Sequence, residues 1–129
     1  MEPKVYNISE LQFEHRIWKS EMKIILGELN IYQEWLSCLS QKSFQVEFQK
    51  NINYFQNKFD IQRNHFDRFN DSINAQDAYV ESLEKESEQD ISDKTIADHT
   101  NLRAEINTAL ILYKEVKLEY KEFCQKVKF

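Results

Sequence analysis

Glycine and proline are almost missing from this chain, with one of each, Gly27 and Pro3, in 129 residues. Tight β-hairpins need glycine at positive φ, so a multi-stranded sheet fold is disfavoured. A glycine-rich phosphate loop is excluded for the same reason. Cysteine is also scarce. Cys38 and Cys124 are the only two, without metal-type spacing, and are expected to be reduced and structural rather than paired. No apolar run approaches membrane-spanning length, and the opening "MEPKVYNISE" lacks the basic start and apolar core of a secretory signal. A soluble, cytoplasmic protein without a membrane partner is the expectation. Clustered positive charge is absent as well: the net charge is −5, and the lysines at 114, 117, 121, 126 and 128 alternate with Glu115, Glu119 and Glu122. Such interleaving reads as a solvated helix face and argues against nucleic acid.

What is present is periodic. Leu11, His15, Trp18, Met22, Ile25, Leu29, Tyr32, Leu36 and Leu39 follow alternating steps of four and three. Phe48, Ile52, Phe55, Phe59, Gln62, Phe66, Phe69, Ile73, Gln76, Val80 and Leu83 do the same, as do His99, Leu102, Ile106, Ala109, Tyr113, Val116, Tyr120, Phe123 and Val127. These are a/d seams of coiled-coil-like helices sustained over several heptads. Phe13, Ile17, Ile24, Trp35, Leu110, Leu112 and Leu118 lie beside the seams and are expected to widen the stripe to that of a bundle core. Ser9 with Gln12 forms a capping box, and Ser92 or Asp93 can cap the third helix. The polar stretches at 37–43 and 86–94 separate the seams. The reading is a single domain, all-α, an up-down antiparallel bundle with helices at about 9–38, 44–86 and 94–127. A break near "NDSINAQD" (70–77) would make four helices, since Asn, Asp and Ser are weak helix formers.

Folding the first hairpin about residue 40 places His15 opposite His65 and Trp18 opposite Gln62. Folding the second about residue 90 brings residues 113–115 to the same level. On that register the second hairpin overhangs the first, leaving an arm from 69 to 84 of about 22 Å at ~1.5 Å per residue. Ile73, Val80, Leu83 and Leu102 there, with Leu36, Leu39, Phe44 and Phe48 at the other end, need cover. A symmetric homodimer supplies it; a bent second helix closing a monomeric four-helix bundle is the alternative.

His15 and Gln62 put polar groups where apolar ones belong, with His65 and Glu14 at their flanks. A buried imidazole or amide costs a few kcal/mol unless hydrogen-bonded, so His15, Gln62 and His65 are expected to satisfy one another in a register-setting layer. The alternative is a metal or small-ligand site held by His15 and His65 with Glu14 or Glu115. Against it, the residues three before each histidine are Gln12, Gln62 and Ile96, not the glutamates of di-iron bundles. No metal and no cofactor is therefore expected. His99, placed about 15 residues from that layer, is expected to pack apart from it against Tyr79 or Val80. Gly27 falls on an outward face, where it costs about 1 kcal/mol relative to Ala and leaves room for another helix to approach.

"EHRIW" (14–18) followed by "FQNKFDIQ" (55–62) resembles a motif pair in small uncharacterised all-helical proteins of bacteria. The resemblance covers the first hairpin, about half the chain; it implies a helical fold and no particular activity. With no Ser-His-Asp or Cys-His arrangement, the expected function is non-enzymatic: a helical scaffold or protein–protein interaction module that associates with itself or another protein.

Overall fold

The computed structural model describes residues 7–86 and 90–127. Three helices run up, down and up: α1 (Ile8–Ser40), α2 (Val46–Lys85) and α3 (Asp93–Lys126). No strand occurs among the described residues. The polar gap expected at 86–94 is seen at both ends, but its residues 87–89 lie outside the described part, as do residues 1–6, 128 and 129.

The helix starts are set by caps. At α1 the cap is Asn7, not Ser9: its Oδ1 accepts the Glu10 backbone N–H at 2.8 Å, and its Nδ2 donates to the Glu10 carboxylate at 3.3 Å. The Glu10 carboxylate three residues on takes the Asn7 amide N–H in return, so one orphan N–H of the first turn is satisfied and the capping side chain is held in place. Ser92 caps α3, its Oγ accepting from the Thr95 N–H at 3.2 Å. Between α1 and α2, Gln49 Nε2 donates to the carbonyls of Ser40 and Ser43, both at 2.7 Å, and so pins the turn. The break foreseen at 70–77 does not occur; α2 is continuous over 40 residues. Asn70, Asp71, Ser72 and Asn74 are weak helix formers, but Phe69, Ile73 and Val80 of the same stretch are buried. Packing of that face outweighs local propensity.

The seams are buried as the spacing predicts, apart from Tyr32, Phe48, Gln76, Phe123 and Val127, which are half-buried. Phe55, Phe59, Tyr120, Phe123 and Tyr32 form the aromatic centre, with ring centroids of Phe55 and Phe59 5.4 and 5.3 Å from Tyr120. The flanking apolar residues do not widen this core. Leu110 packs against it, but Phe13, Ile17, Ile24, Trp35, Leu112 and Leu118 face outward. A helix with only two neighbours buries a narrow stripe, and the positions opposite that stripe stay in solvent.

The register of the first hairpin differs from expectation. His15 meets Gln76 and Asp77, Asn30 meets Arg63, Gln33 meets Asp60, and Ser40 meets Gln49. The chain does not reverse at residue 40: five residues bridge the helices, and the first turn of α2 lies beyond the end of α1. Each residue of error in the pivot moves the opposing partner by two. His15 therefore sits twelve positions along α2 from His65, about 18 Å at ~1.5 Å per residue. The second hairpin is close to its expected register, with Phe66 beside Tyr113 at 5.8 Å. With the first hairpin shifted, the overhanging arm disappears. Leu36, Leu39, Ile73, Val80, Leu83 and Leu102 are all covered within one chain and Phe48 is half-buried, while Phe44 stays 87% exposed, so the homodimer loses most of that motive.

One asymmetry remains. Both α1 and α3 pack on α2, but no Cα of α1 comes within 8 Å of one of α3. Long side chains span that gap: Tyr32 to Tyr120, Glu28 to Tyr113 and Lys117, and Glu14 to Arg103 and His99.

Candidate functional site

The widest departure from an apolar core lies where the N-terminal parts of α1 and α3 meet the C-terminal part of α2. His15 from α1 and His99 from α3 are both fully buried. Their rings are 5.2 Å apart, and Trp18 stacks on His99 at 4.8 Å. Gln76 of α2 stands between them, its amide Oε1 2.9 Å from His15 Nε2 and 2.9 Å from His99 Nδ1. The outward nitrogen of each ring meets a carboxylate. His15 Nδ1 donates to Asp77, and His99 Nε2 donates to Glu14 Oε1 at 2.6 Å. Each carboxylate is also paired with a permanent cation: Lys19 Nζ to Asp77 at 2.8 Å, and Arg103 Nε and Nη2 to the two oxygens of Glu14 at 2.8 and 2.7 Å. The layer thus runs Lys19, Asp77, His15, Gln76, His99, Glu14, Arg103, and it ties all three helices together.

The electrostatics follow from those partners. The Arg103 guanidinium holds the Glu14 carboxyl below the usual carboxylate range against the opposing effect of partial burial, and His99 adds to the lowering. Partial burial works to raise Asp77, but Lys19 and His15 prevail and hold it low. Burial is the largest influence on His99 and pulls it below the ordinary imidazole value, although Glu14 favours its charged form. A further carboxylate of α1, Glu28, accepts from the Tyr113 hydroxyl at 2.7 Å and pairs with Lys117 at 3.1 Å. Burial pushes Tyr113 up, and Glu28 adds to that by accepting its proton.

The expected layer of His15, Gln62 and His65 is not formed. His15 has its own layer with Gln76. Gln62 is buried about four turns away along α2, its Oε1 without a hydrogen-bond partner among the described residues. His65 is half-buried in a shallow groove between α2 and α3 beside Arg68 and Phe69. The alternative ligand set His15, His65, Glu14 and Glu115 is likewise dispersed, with Glu115 exposed. Among the described residues no three His, Cys, Asp or Glu side chains are grouped to hold a metal ion. His99, expected to stand apart, is instead the second half of the His15 layer. The twelve-position shift of α2 explains why His15 leaves Gln62 and His65 and meets Gln76 and His99, whereas Glu115 is exposed because it lies off the buried seam of α3. Gln76 was visible as a polar seam residue, and the four polar seam positions, His15, Gln62, Gln76 and His99, were the signal that could have found the layer. Asp77, Lys19 and Arg103 sit at the seam's edge, where charged residues are ordinary.

A second feature lies on the outside of α1. Ile17, Ile24, Ile31 and Cys38 recur every seven residues, with Phe13, Ser20, Gly27 and Glu34 between them in steps of three and four. Ile17, Ile24 and Ile31 are 43%, 62% and 64% exposed. A Cβ placed on Gly27 would have nothing within 4 Å. Arg16 and Lys23 line one edge of this outward stripe, and Glu14, Glu21 and Glu28 the other. No helix among the described residues is long and apolar enough to cross a membrane. Comparison of the chain with protein-family models, curated proteins and solved structures gives no match.

Proposed function

We propose that the chain is a non-enzymatic helical interaction module that pairs with a second copy of itself through the outer stripe of α1. The observation that carries this reading is the exposed isoleucine heptad, a seam of the kind that buries its apolar side chains only against another helix. It extends over about 37 Å from Phe13 to Cys38 at ~1.5 Å per residue. Small Ser20 and Gly27 between the isoleucines let two backbones approach. The edges select the partner and its direction. In a parallel two-fold pairing, Arg16 faces Glu21 of the second copy, base against acid, and Lys23 faces Glu28, which within its own chain is already shared with Lys117 and Tyr113. An antiparallel pairing sets acid against acid and base against base.

The histidine layer supports the non-catalytic half of the reading. Both rings are sealed from solvent, and every ring nitrogen is already engaged. A general base needs a free nitrogen within reach of substrate. Free Cys38 and Cys124 fit a reducing, cytoplasmic setting.

Sedimentation of the full chain tests the proposal: a dimer is expected, and Ile24→Lys is expected to give a monomer of unchanged helix content. Parallel pairing brings the two Cys38 thiols together across the axis. Oxidation of a Cys124→Ser chain is therefore expected to give a Cys38-linked dimer. A wild-type monomer would refute self-association, and a dimer that fails to link through Cys38 would refute the parallel α1 pairing.

A further inference from the structure

We infer that His15, Gln76 and His99 form a two-proton switch, in which one glutamine amide makes the two buried rings gain or lose their protons together. The argument rests on donors and acceptors. An ionised carboxylate accepts only, so the nitrogen of each ring that faces Asp77 or Glu14 carries its proton. The remaining nitrogen of each ring faces the same atom of Gln76. With the amide oxygen inward, as it stands in the structure, both of these nitrogens must also be protonated, and both rings are imidazolium. With the amide turned by half a rotation, its nitrogen faces the rings and has two N–H bonds to give, one to each unprotonated nitrogen. Both rings are then neutral. An amide is nearly symmetric in shape, so the turn needs no repacking.

The mixed state has no such solution. One protonated and one neutral ring on a single amide leaves either two donors or two lone pairs face to face in a buried site, where an unmade hydrogen bond is costly. Repulsion between two imidazolium rings works in the other direction. Here it is offset locally, because each ring has its own carboxylate and His99 has the face of Trp18 against it. Among the described residues, the charged groups paired with the two rings or with their carboxylates are Glu14 and Lys19 from α1, Asp77 from α2 and Arg103 from α3. Burial favours the neutral form of His99, so its proton uptake falls on the acid side. Its location matters: Glu14 is the tie between α1 and α3 at this end, and its partner His99 is one of the two rings that change. The switch therefore places a proton-dependent contact in the joint between helices whose backbones do not touch.

The test is nitrogen-15 NMR of the two imidazoles on the full chain, titrated from pH 8 to pH 4. In the wild type, both rings are expected to change in one transition with a Hill coefficient of about 1.5 to 2, the upper limit being the number of coupled sites. The Gln76 side-chain amide signals should move in the same transition. In Gln76→Met the link is gone, and the rings should titrate apart with a Hill coefficient of one or less. In Gln76→Glu the new carboxylate accepts only, so both rings should stay protonated to a pH higher by about one unit or more. Separate wild-type titrations, a single titrating ring, or no titration before acid unfolding would each overturn the switch. So would cooperativity that survives in Gln76→Met. Where the Met variant does not fold, the Glu variant decides: an unchanged or lowered transition refutes the coupling.

Discussion

Replacing Glu14 by alanine removes three hydrogen bonds at once, and the structure lets the consequence be sized. The carboxylate is 25% exposed in its side chain, so its bonds to Arg103 and His99 are taken at the weak end of charge-assisted values. At roughly 1 kcal/mol each, the low end for bonds to charged groups after solvent screening, three bonds amount to about 3 kcal/mol. Alanine is the better helix former by a few tenths of a kcal/mol, which reduces the net loss to about 2.5 kcal/mol. Part of that loss arises because His99, fully buried, loses its carboxylate partner. For a domain of this size a loss of 2.5 kcal/mol lowers Tm by about 8–12 °C. Urea and thermal unfolding followed by circular dichroism measure it, with an unchanged urea slope as the sign that only stability has moved. Arg103→Ala completes a double-mutant cycle, and a coupling of about 1–2 kcal/mol between the two positions is expected. A Glu14→Ala loss under about 0.5 kcal/mol would place the pair among surface ion pairs of no consequence. The inference that long side chains join α1 to α3 would then fail at its best-bonded point.

Acid should destabilise the fold in two stages. His99 is depressed, so the unfolded chain takes up its proton first as pH falls below about 6.5, and stability falls in that window; Glu14 and Asp77 are also depressed, and the stability they contribute is lost below about 4.5. Urea midpoints that stay level from pH 8 to pH 5 would contradict the first stage. Gly27→Ala should raise monomer stability by about 1 kcal/mol, because the new methyl meets nothing; a loss in a dilute, monomeric sample would show a contact within the chain. Phe59→Ala, at a fully buried ring in the aromatic centre, should cost about 3–5 kcal/mol. A loss below about 1 kcal/mol in chemical denaturation would mean that the centre is loosely packed.

The helices and their buried faces were legible in the sequence because burial on a helix repeats on the same period as the residues that fill it. Leu11 through Leu39 and Ile52 through Leu83 are accordingly buried at nearly every expected step. Periodicity has no information on how far one helix slides along another, however, and a turn of unknown length carries its uncertainty doubled into the register. That is why the spacing sets His15 against His65, whereas its partner is Gln76. It is also why Ile17, Ile24 and Trp35 were assigned to the core: apolar character on two faces of α1 looks like one broad face until the number of neighbouring helices is known.

The polar seam residues carry the missing information. Sliding α1 along α2 by seven residues returns apolar positions to apolar positions, so hydrophobic burial alone discriminates poorly among registers a heptad apart. It does not return His15 to Gln76. A slip of one heptad either way sets His15 level with residues 69–70 or 83–84, and the seam there is Phe69 or Leu83, both buried. A ring with two unmet nitrogens in such surroundings costs several kcal/mol. Gln76 and His99 incur the same penalty in α2 and α3 unless they arrive at one level together. Three polar groups on three helices therefore fix the register of both hairpins at once. Each would be destabilising alone, and together they make one alignment cheaper than its heptad-shifted rivals.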